Sequence, residues 1–211
     1  ISHLDLQRTL ARVLVRAEIP MWYTQGFNPH AKVTFGLPLS VGTESECEFI
    51  DLRLDRDISP EELVERLNRE LTDEMRVYEA YEPTTKFQDI GWASYEMELR
   101  FAGADADMAG RLQALFTSSP LMMTKKSKSG DKEVDLIPLI RRIGTVCDPE
   151  RPGVIRIHAL LSASEGSYLN PELLIQAARR ECGILSGNPT KEEYSILRTH
   201  VYLADGETEF R

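Results

Sequence analysis

"VIRIHALL", residues 154–161, is the stretch on which the fold turns, because its residues make a strand of strong β propensity. Downstream, Asn170-Pro171-Glu172 starts a helix that Gly183 ends, and residues 194–203 read as a last strand. Upstream, residues 95–101 read as a strand and 106–116 as a helix with Met108, Leu112 and Leu115 in register. Residues 121–126 and 134–146 look extended, with Ser127-Lys128-Ser129-Gly130-Asp131 as a hairpin tip. The order is β-α-β-β-(β)-α-β, the split βαβ, ferredoxin-like order with an added hairpin strand.

The first half runs parallel to this. Ser2 followed by Asp5 has the spacing of a capping box, and Leu6, Leu10, Val13, Leu14 and Ala17 recur at helical spacing until Pro20. Residues 32–38 and 47–54 alternate as strands. Ser59-Pro60-Glu61-Glu62 opens a helix striped by Leu63, Leu67 and Leu71, and residues 76–81 read as another strand. The order α-β-β-α-β matches the second half if one more strand precedes Ile1. The fold class expected is therefore α+β, with two tandem ferredoxin-like (split βαβ) units built on antiparallel sheets. They span residues 1–88, with a first strand before residue 1, and residues 92–211, with an extra hairpin; a polar stretch at 84–91 joins them. Each helix pair would cover one face of its sheet and leave the other face available for packing or binding.

Composition narrows the function. At 211 residues the chain is long enough for a real core. No apolar run approaches a membrane span, so no membrane partner is expected. The net charge is −9, and residues 1–90 hold 10 Lys and Arg against 17 Asp and Glu. An acidic chain binds nucleic acid poorly unless a local basic patch does the work. Cys47, Cys147 and Cys182 are widely spaced, which fits reduced thiols in the cytoplasm and gives neither a zinc nor an iron–sulfur site. No metal and no cofactor are expected.

The loop "TQGFNPHAK", residues 24–32, carries more chemistry than a turn needs. Gly26 and Asn28-Pro29 account for the chain reversal, but not for Phe27, His30 and Lys32. One reading is a phosphate or nucleotide contact by Asn28, His30 and Lys32; the other is a loop whose polar side chains satisfy its own backbone. As a ligand clamp, these three would converge with His3 or Arg8 on one concave surface at the start of the first helix. His30 and His3 are the candidates for a general acid or base. Lys125, Lys126, Lys128 and Lys132, followed by Arg141 and Arg142, form a dense basic cluster, readable as a solvated hairpin tip or as an RNA-facing β-ribbon. The aromatic signature of an RNA-recognition motif is absent. Glu44, Glu46 and Glu48 share one face of a strand, where an acidic edge or a pairing with Arg53 or Lys32 explains them better than a metal.

Ser2-His3-Leu4-Asp5, Gly26-Phe27-Asn28-Pro29-His30, Phe35-Gly36-Leu37-Pro38-Leu39 and Gly42-x-Glu44-Ser45-Glu46 resemble, in order and near spacing, the bacterial radical-SAM-linked proteins of unknown function. That family runs roughly SHLD, SxGFNPHPK, LPLxxG and ESE; Lys132-Glu133-Val134-Asp135 extends the likeness, and Ala31 stands where the family has a second proline. The resemblance implies a radical SAM protein as partner, encoded beside or fused to this domain. The chain is not that enzyme, because radical SAM chemistry needs a CxxxCxxC cluster site. The expected function is an accessory, non-catalytic module that binds an RNA or nucleotide-bearing substrate for the partner. The alternatives are an RNA-processing enzyme using a histidine general acid/base, and a pure protein–protein adaptor.

Overall fold

Serine caps open both helices of the first half. Ser2 Oγ accepts the Asp5 N–H at 3.2 Å and donates to the Asp5 carboxylate at 2.6 Å, starting α1 (His3–Arg16). Ser59 Oγ accepts the Glu62 N–H at 3.2 Å, with Pro60 at the first helical position of α2 (Pro60–Glu70). Three short strands lie between the helices: β1 (Val33–Phe35), β2 (Glu44–Ser45) and β3 (Ile50–Leu52). The computed structural model describes residues 1–125, 130–185 and 191–211. The chain divides into two units, residues 1–41, 48–86 and 211 in the first, 42–47 and 87–210 in the second.

In the first unit β1 and β3 pair antiparallel, with Val33 opposite Leu52 and Phe35 opposite Ile50. Val13 and Leu14 of α1, Leu67 of α2, Ile19 and Met21 form its core, with Val33, Leu52, Leu54 and Val77 packed against it. Removing a leucine or valine of this size from water contributes about 1.5–3 kcal/mol. The strand expected at residues 76–81 does not form. Asn68, on α2, donates from Nδ2 to the Val77 carbonyl and accepts the Val77 N–H on Oδ1, both at 2.8 Å. A side chain thus supplies the partners that a neighbouring strand would have supplied.

The second unit holds β4 (Ile90–Arg100), α3 (Ala106–Thr117), β5 (Met122–Lys125), β6 (Lys132–Asp135), β7 (Ile140–Cys147), β8 (Val154–Ser162), α4 (Glu172–Cys182) and β9 (Glu193–Leu203). Its five-stranded sheet has the order β2-β9-β4-β8-β7. The pairs among β4, β7, β8 and β9 are antiparallel, but β2 joins β9 in parallel, with Glu44 opposite Leu197 and Ser45 opposite Arg198. The expectation of antiparallel sheets is corrected accordingly: residues 42–47 leave the first unit and extend an edge of this sheet. Glu44, Glu46 and Glu48 therefore do not share one strand, since Glu48 belongs to the first unit. The expected hairpin forms, with β5 paired to β6 as a two-stranded ribbon, while the extended segment expected over 134–146 is divided between β6 and β7 by a helical turn at Ile137–Leu139.

Both helices cover one face of the five-stranded sheet. Tyr95, Met97, Leu99, Ile155, Ile157 and Leu161 are buried there, together with Leu112 and Phe116 of α3 and Leu174 of α4. Gln113 of α3 accepts the Thr145 N–H at 2.9 Å and donates to the Ile143 carbonyl at 3.3 Å. It thereby covers the outward edge of β7, which would otherwise be a template for a further strand. At the far end a side chain on Gly91 would place Cβ 2.5 Å from Ala204 Cα, so only glycine lets the turn after β9 pass so near β4.

Candidate nucleic-acid interface

The 24–32 loop is pinned at its base by a closed triangle of backbone bonds. Trp22 N–H donates to Arg53 C=O at 2.9 Å, Arg53 N–H to Lys32 C=O at 3.1 Å, and Lys32 N–H to Trp22 C=O at 3.0 Å. The Arg53 guanidinium lies 4.1 Å from the centre of the Trp22 ring. Above the base, His30 is exposed but bonds back onto its own loop. Its N–H donates to Thr24 Oγ1 at 3.1 Å, its carbonyl accepts the Thr24 N–H at 2.9 Å, and its Nδ1 lies 3.2 Å from the Asn28 carbonyl. The loop therefore uses His30 and Asn28 to hold its own shape. What it presents is Phe27, fully exposed beyond Gly26, whose φ of 143° a side chain would rarely adopt.

His3 and Lys32 are not brought together. The His3 ring meets Phe35 edge-on, 4.9 Å between centroids, and its Nε2 lies 3.0 Å from Gln7 Nε2. Phe35 shares its face of β1 with Val33, which packs on the α1 core. Alternation along the strand puts Lys32 and Thr34, both exposed, on the other face. Arg8 pairs with Asp5 at 3.5 Å on the exposed side of α1. A single concave clamp holding Lys32 with His3 is thus not what the fold builds. In the basic ribbon Lys125 and Lys132 face each other across β5 and β6, and Lys125 Nζ donates to the Tyr168 carbonyl at 3.0 Å. Lys126 and Lys128 lie outside the described residues.

A second surface, not anticipated from the sequence, lies on the sheet face turned away from α3 and α4. Register sorts its side chains into rows across the strands. Tyr202, Trp92 and Ser162 form one row; His200, Ser94, Leu160 and Arg142 form the next; Leu197, Glu96, His158 and Gly144 form the third. Arg141 reaches the first row, its guanidinium 5.4 Å from the centre of the Trp92 ring. The Tyr202 and His200 rings stack at 21° with centroids 5.9 Å apart, and Trp92 Nε1 donates to the Ala204 carbonyl at 3.1 Å. His158 Nδ1 lies 3.6 Å from Glu96, and His200 Nε2 3.8 Å from Glu209.

Further along this face the charges close on themselves. Asp148, its side chain 1% exposed, receives Arg151 and Arg156 at 2.8 Å each, and Glu98 bonds Arg151. The Arg151 bond, together with backbone N–H groups, holds the Asp148 carboxyl down to about 2. Glu98 is lowered by the same arginine. Beside the aromatic row, Asp205 is held to about 2 by the Thr208 hydroxyl and by the N–H groups of Glu207 and Thr208, with Arg141 adding to the effect. Among the described residues, no three His, Cys, Asp or Glu side chains gather as metal ligands would.

Residues 1–171 match a family described as uncharacterized proteins conserved in bacteria, DUF2344. The chain belongs to that family. The match takes in the 24–32 loop and, on the sheet face, Trp92, Arg141, Arg142 and His158; it stops before α4, so His200 and Tyr202 lie beyond it. No curated protein matches the chain. Among the described residues, no helix is long and apolar enough to cross a membrane.

The sequence contained a signal for the aromatic row that reading by motif passes over. Trp92 alternates with buried Ala93 in β4, and Tyr202 follows buried Val201 at the end of β9, an alternation short enough to read as a strand with one aromatic face. What could not be read was that the two strands are neighbours and that these residues are paired.

Proposed function

We propose that this protein is an accessory, non-catalytic module that binds an RNA or nucleotide-bearing substrate for a partner radical SAM enzyme in the cytoplasm. The observation that carries the binding half of this reading is the row of Tyr202 and Trp92, with Arg141 over Trp92, on the helix-free face of the five-stranded sheet. Aromatic faces and arginine planes are what unstacked bases of single-stranded RNA rest on. The chain order β4-α3-β7-β8-α4-β9 with spatial order β9-β4-β8-β7 supports reading the second unit as ferredoxin-like, an architecture in which that face is the usual RNA platform. The radical SAM half rests on the sequence resemblance alone.

Binding is tested by fluorescence anisotropy with labelled single-stranded RNA at two salt concentrations. The expected result is binding that weakens with salt and falls about tenfold in Tyr202→Ala, the loss of one base-stacking contact. No binding to any RNA sequence, in a protein that co-purifies with the radical SAM partner, would replace this reading with that of a pure adaptor. Cleavage of RNA without added metal, lost in His30→Ala, would replace it with the enzyme reading.

A further inference from the structure

The sheet face carries a second feature beside the aromatic row. A hollow of about 370 Å³ opens over the second and third rows, lined by Ser94, Arg142, Gly144, His158 and Leu160. We propose that this hollow seats one splayed nucleobase of the bound strand, with the neighbouring phosphate on Arg142, and so gives the module its base preference. The proposal rests on the single-strand reading above.

Three observations carry it. First, the hollow adjoins the aromatic row: Ser94 is two residues from Trp92 on β4, and His200 is two from Tyr202 on β9. Two residues of strand span about 6.7 Å, twice the roughly 3.4 Å between stacked bases. That spacing lets one strand reach both places, a base on the aromatic row and another, splayed from the stack, over the hollow, where its edge meets the protein. Second, the lining offers what a base and its phosphate require. Arg142 is an exposed cation with a planar donor fork, the Ser94 hydroxyl donates and accepts, and the His158 imidazole is held near Glu96.

Third, the protein's own packing does not explain Gly144. It sits mid-strand in β7, where glycine destabilises a strand relative to alanine. A Cβ there would meet nothing within 4 Å, and the residue's φ is not in the left-handed region. Glycine inside a strand marks a bulge, a bend or the close approach of a ligand or backbone; the bulge of β7 lies at Arg141, and Gly144 itself pairs regularly with His158. Here the approach would come from the face that carries Arg142 and His158.

The experiment measures affinity for the four RNA homopolymers and for their single-stranded DNA counterparts, in the native protein and in Gly144→Val, Arg142→Gln and Tyr202→Ala. Valine suits a strand and has open space at this position, so that variant is expected to fold; Gly144→Ser serves as a milder second filling. Expected are a preference of tenfold or more for one RNA homopolymer, its loss in Gly144→Val, and an equal weakening of all homopolymers in Tyr202→Ala. If the native protein binds RNA and Gly144→Val and Gly144→Ser leave both preference and affinity unchanged, the hollow is not a base site, while the strand-binding reading stands. Equal affinity of the native protein for all four homopolymers also overturns the hollow alone. If the native protein binds none of the probes, both readings fall.

Discussion

Arg198 and His200, two residues apart on β9, face opposite sides of the sheet. Regular alternation would put them on the same side. A bulge at Thr199 separates them: Tyr95 pairs with Arg198, but its predecessor Ser94 pairs with His200. Arg198 is turned among the helices, 1% exposed, with its Nε donating to the Tyr95 hydroxyl at 3.3 Å. His200 and Tyr202 are turned to the aromatic face. One inserted residue therefore builds a buried arginine on one side of the sheet and the candidate RNA surface on the other.

Tyr95→Phe removes an oxygen that receives the buried Arg198 guanidinium, and is expected to lower stability by about 1–2 kcal/mol in urea unfolding. Burial raises the Tyr95 pKa above its ordinary value of 10. An acid whose folded pKa is raised stabilises fully below the unfolded pKa and loses that contribution as pH climbs past it. The native protein should thus lose stability above about pH 10 more steeply than Tyr95→Phe does. Parallel alkaline slopes in the two proteins would contradict the assignment.

Asn68→Ala should cost about 2 kcal/mol, because it leaves both the Val77 N–H and carbonyl without their side-chain partners. Asn68→Asp should recover only part of this, since a carboxylate accepts the N–H but cannot donate to the carbonyl. Amide exchange at Val77, read by NMR, is the direct measure: fast in the alanine variant and slower in the aspartate variant.

On the acid side, Asp148 and Asp205 are held to about 2 and Glu98 is lowered as well. Carboxylates with depressed folded pKa values contribute stability above their unfolded pKa and lose it as pH falls toward the folded value. Stability should therefore decline between about pH 4 and pH 2. Asp148→Asn should flatten that decline while lowering stability at pH 7, because Arg151 and Arg156 then lose a charged partner. Urea midpoints at pH 7, 4 and 2.5 for the two proteins test both statements.

The 24–32 loop separates presentation from construction. Phe27→Ser and Lys32→Ala, both at exposed positions, should shift stability by no more than about 0.5 kcal/mol. Gly26→Ala, at a φ of 143°, should cost more than about 1 kcal/mol. Thermal melts of the three variants distinguish a loop that spends Phe27 on folding from one that holds it out for a partner.

Features with local causes are legible along the chain. Ser2, Ser59 and Gly183 place helix ends through contacts with residues three or four positions away, and the structure has a cap at each. The β-rich stretch at 154–161 lies within β8, and the run ending at Leu203 within β9, because β-branched residues favour extended backbone wherever it pairs. Of the candidate site, the shape of the 24–32 turn was legible in Gly26 and Asn28-Pro29.

The remaining features come from contacts between distant parts of the chain. Nothing within reach of Glu44-Ser45 says that they will pair with residues some 150 positions later, or in parallel. Residues 76–81 have strand character, yet the backbone groups of Val77 are taken by Asn68 rather than by a neighbouring strand. Lys32 and His3 were separated by the alternation of a strand whose faces are assigned only once α1 packs on one of them. Tyr202 and Trp92 became neighbours through a ladder joining positions about 110 residues apart, and one bulged threonine chose the side they occupy. Capping and propensity act through neighbours in the chain, whereas register and facing follow from which surfaces are buried together, and that choice belongs to the folded molecule as a whole.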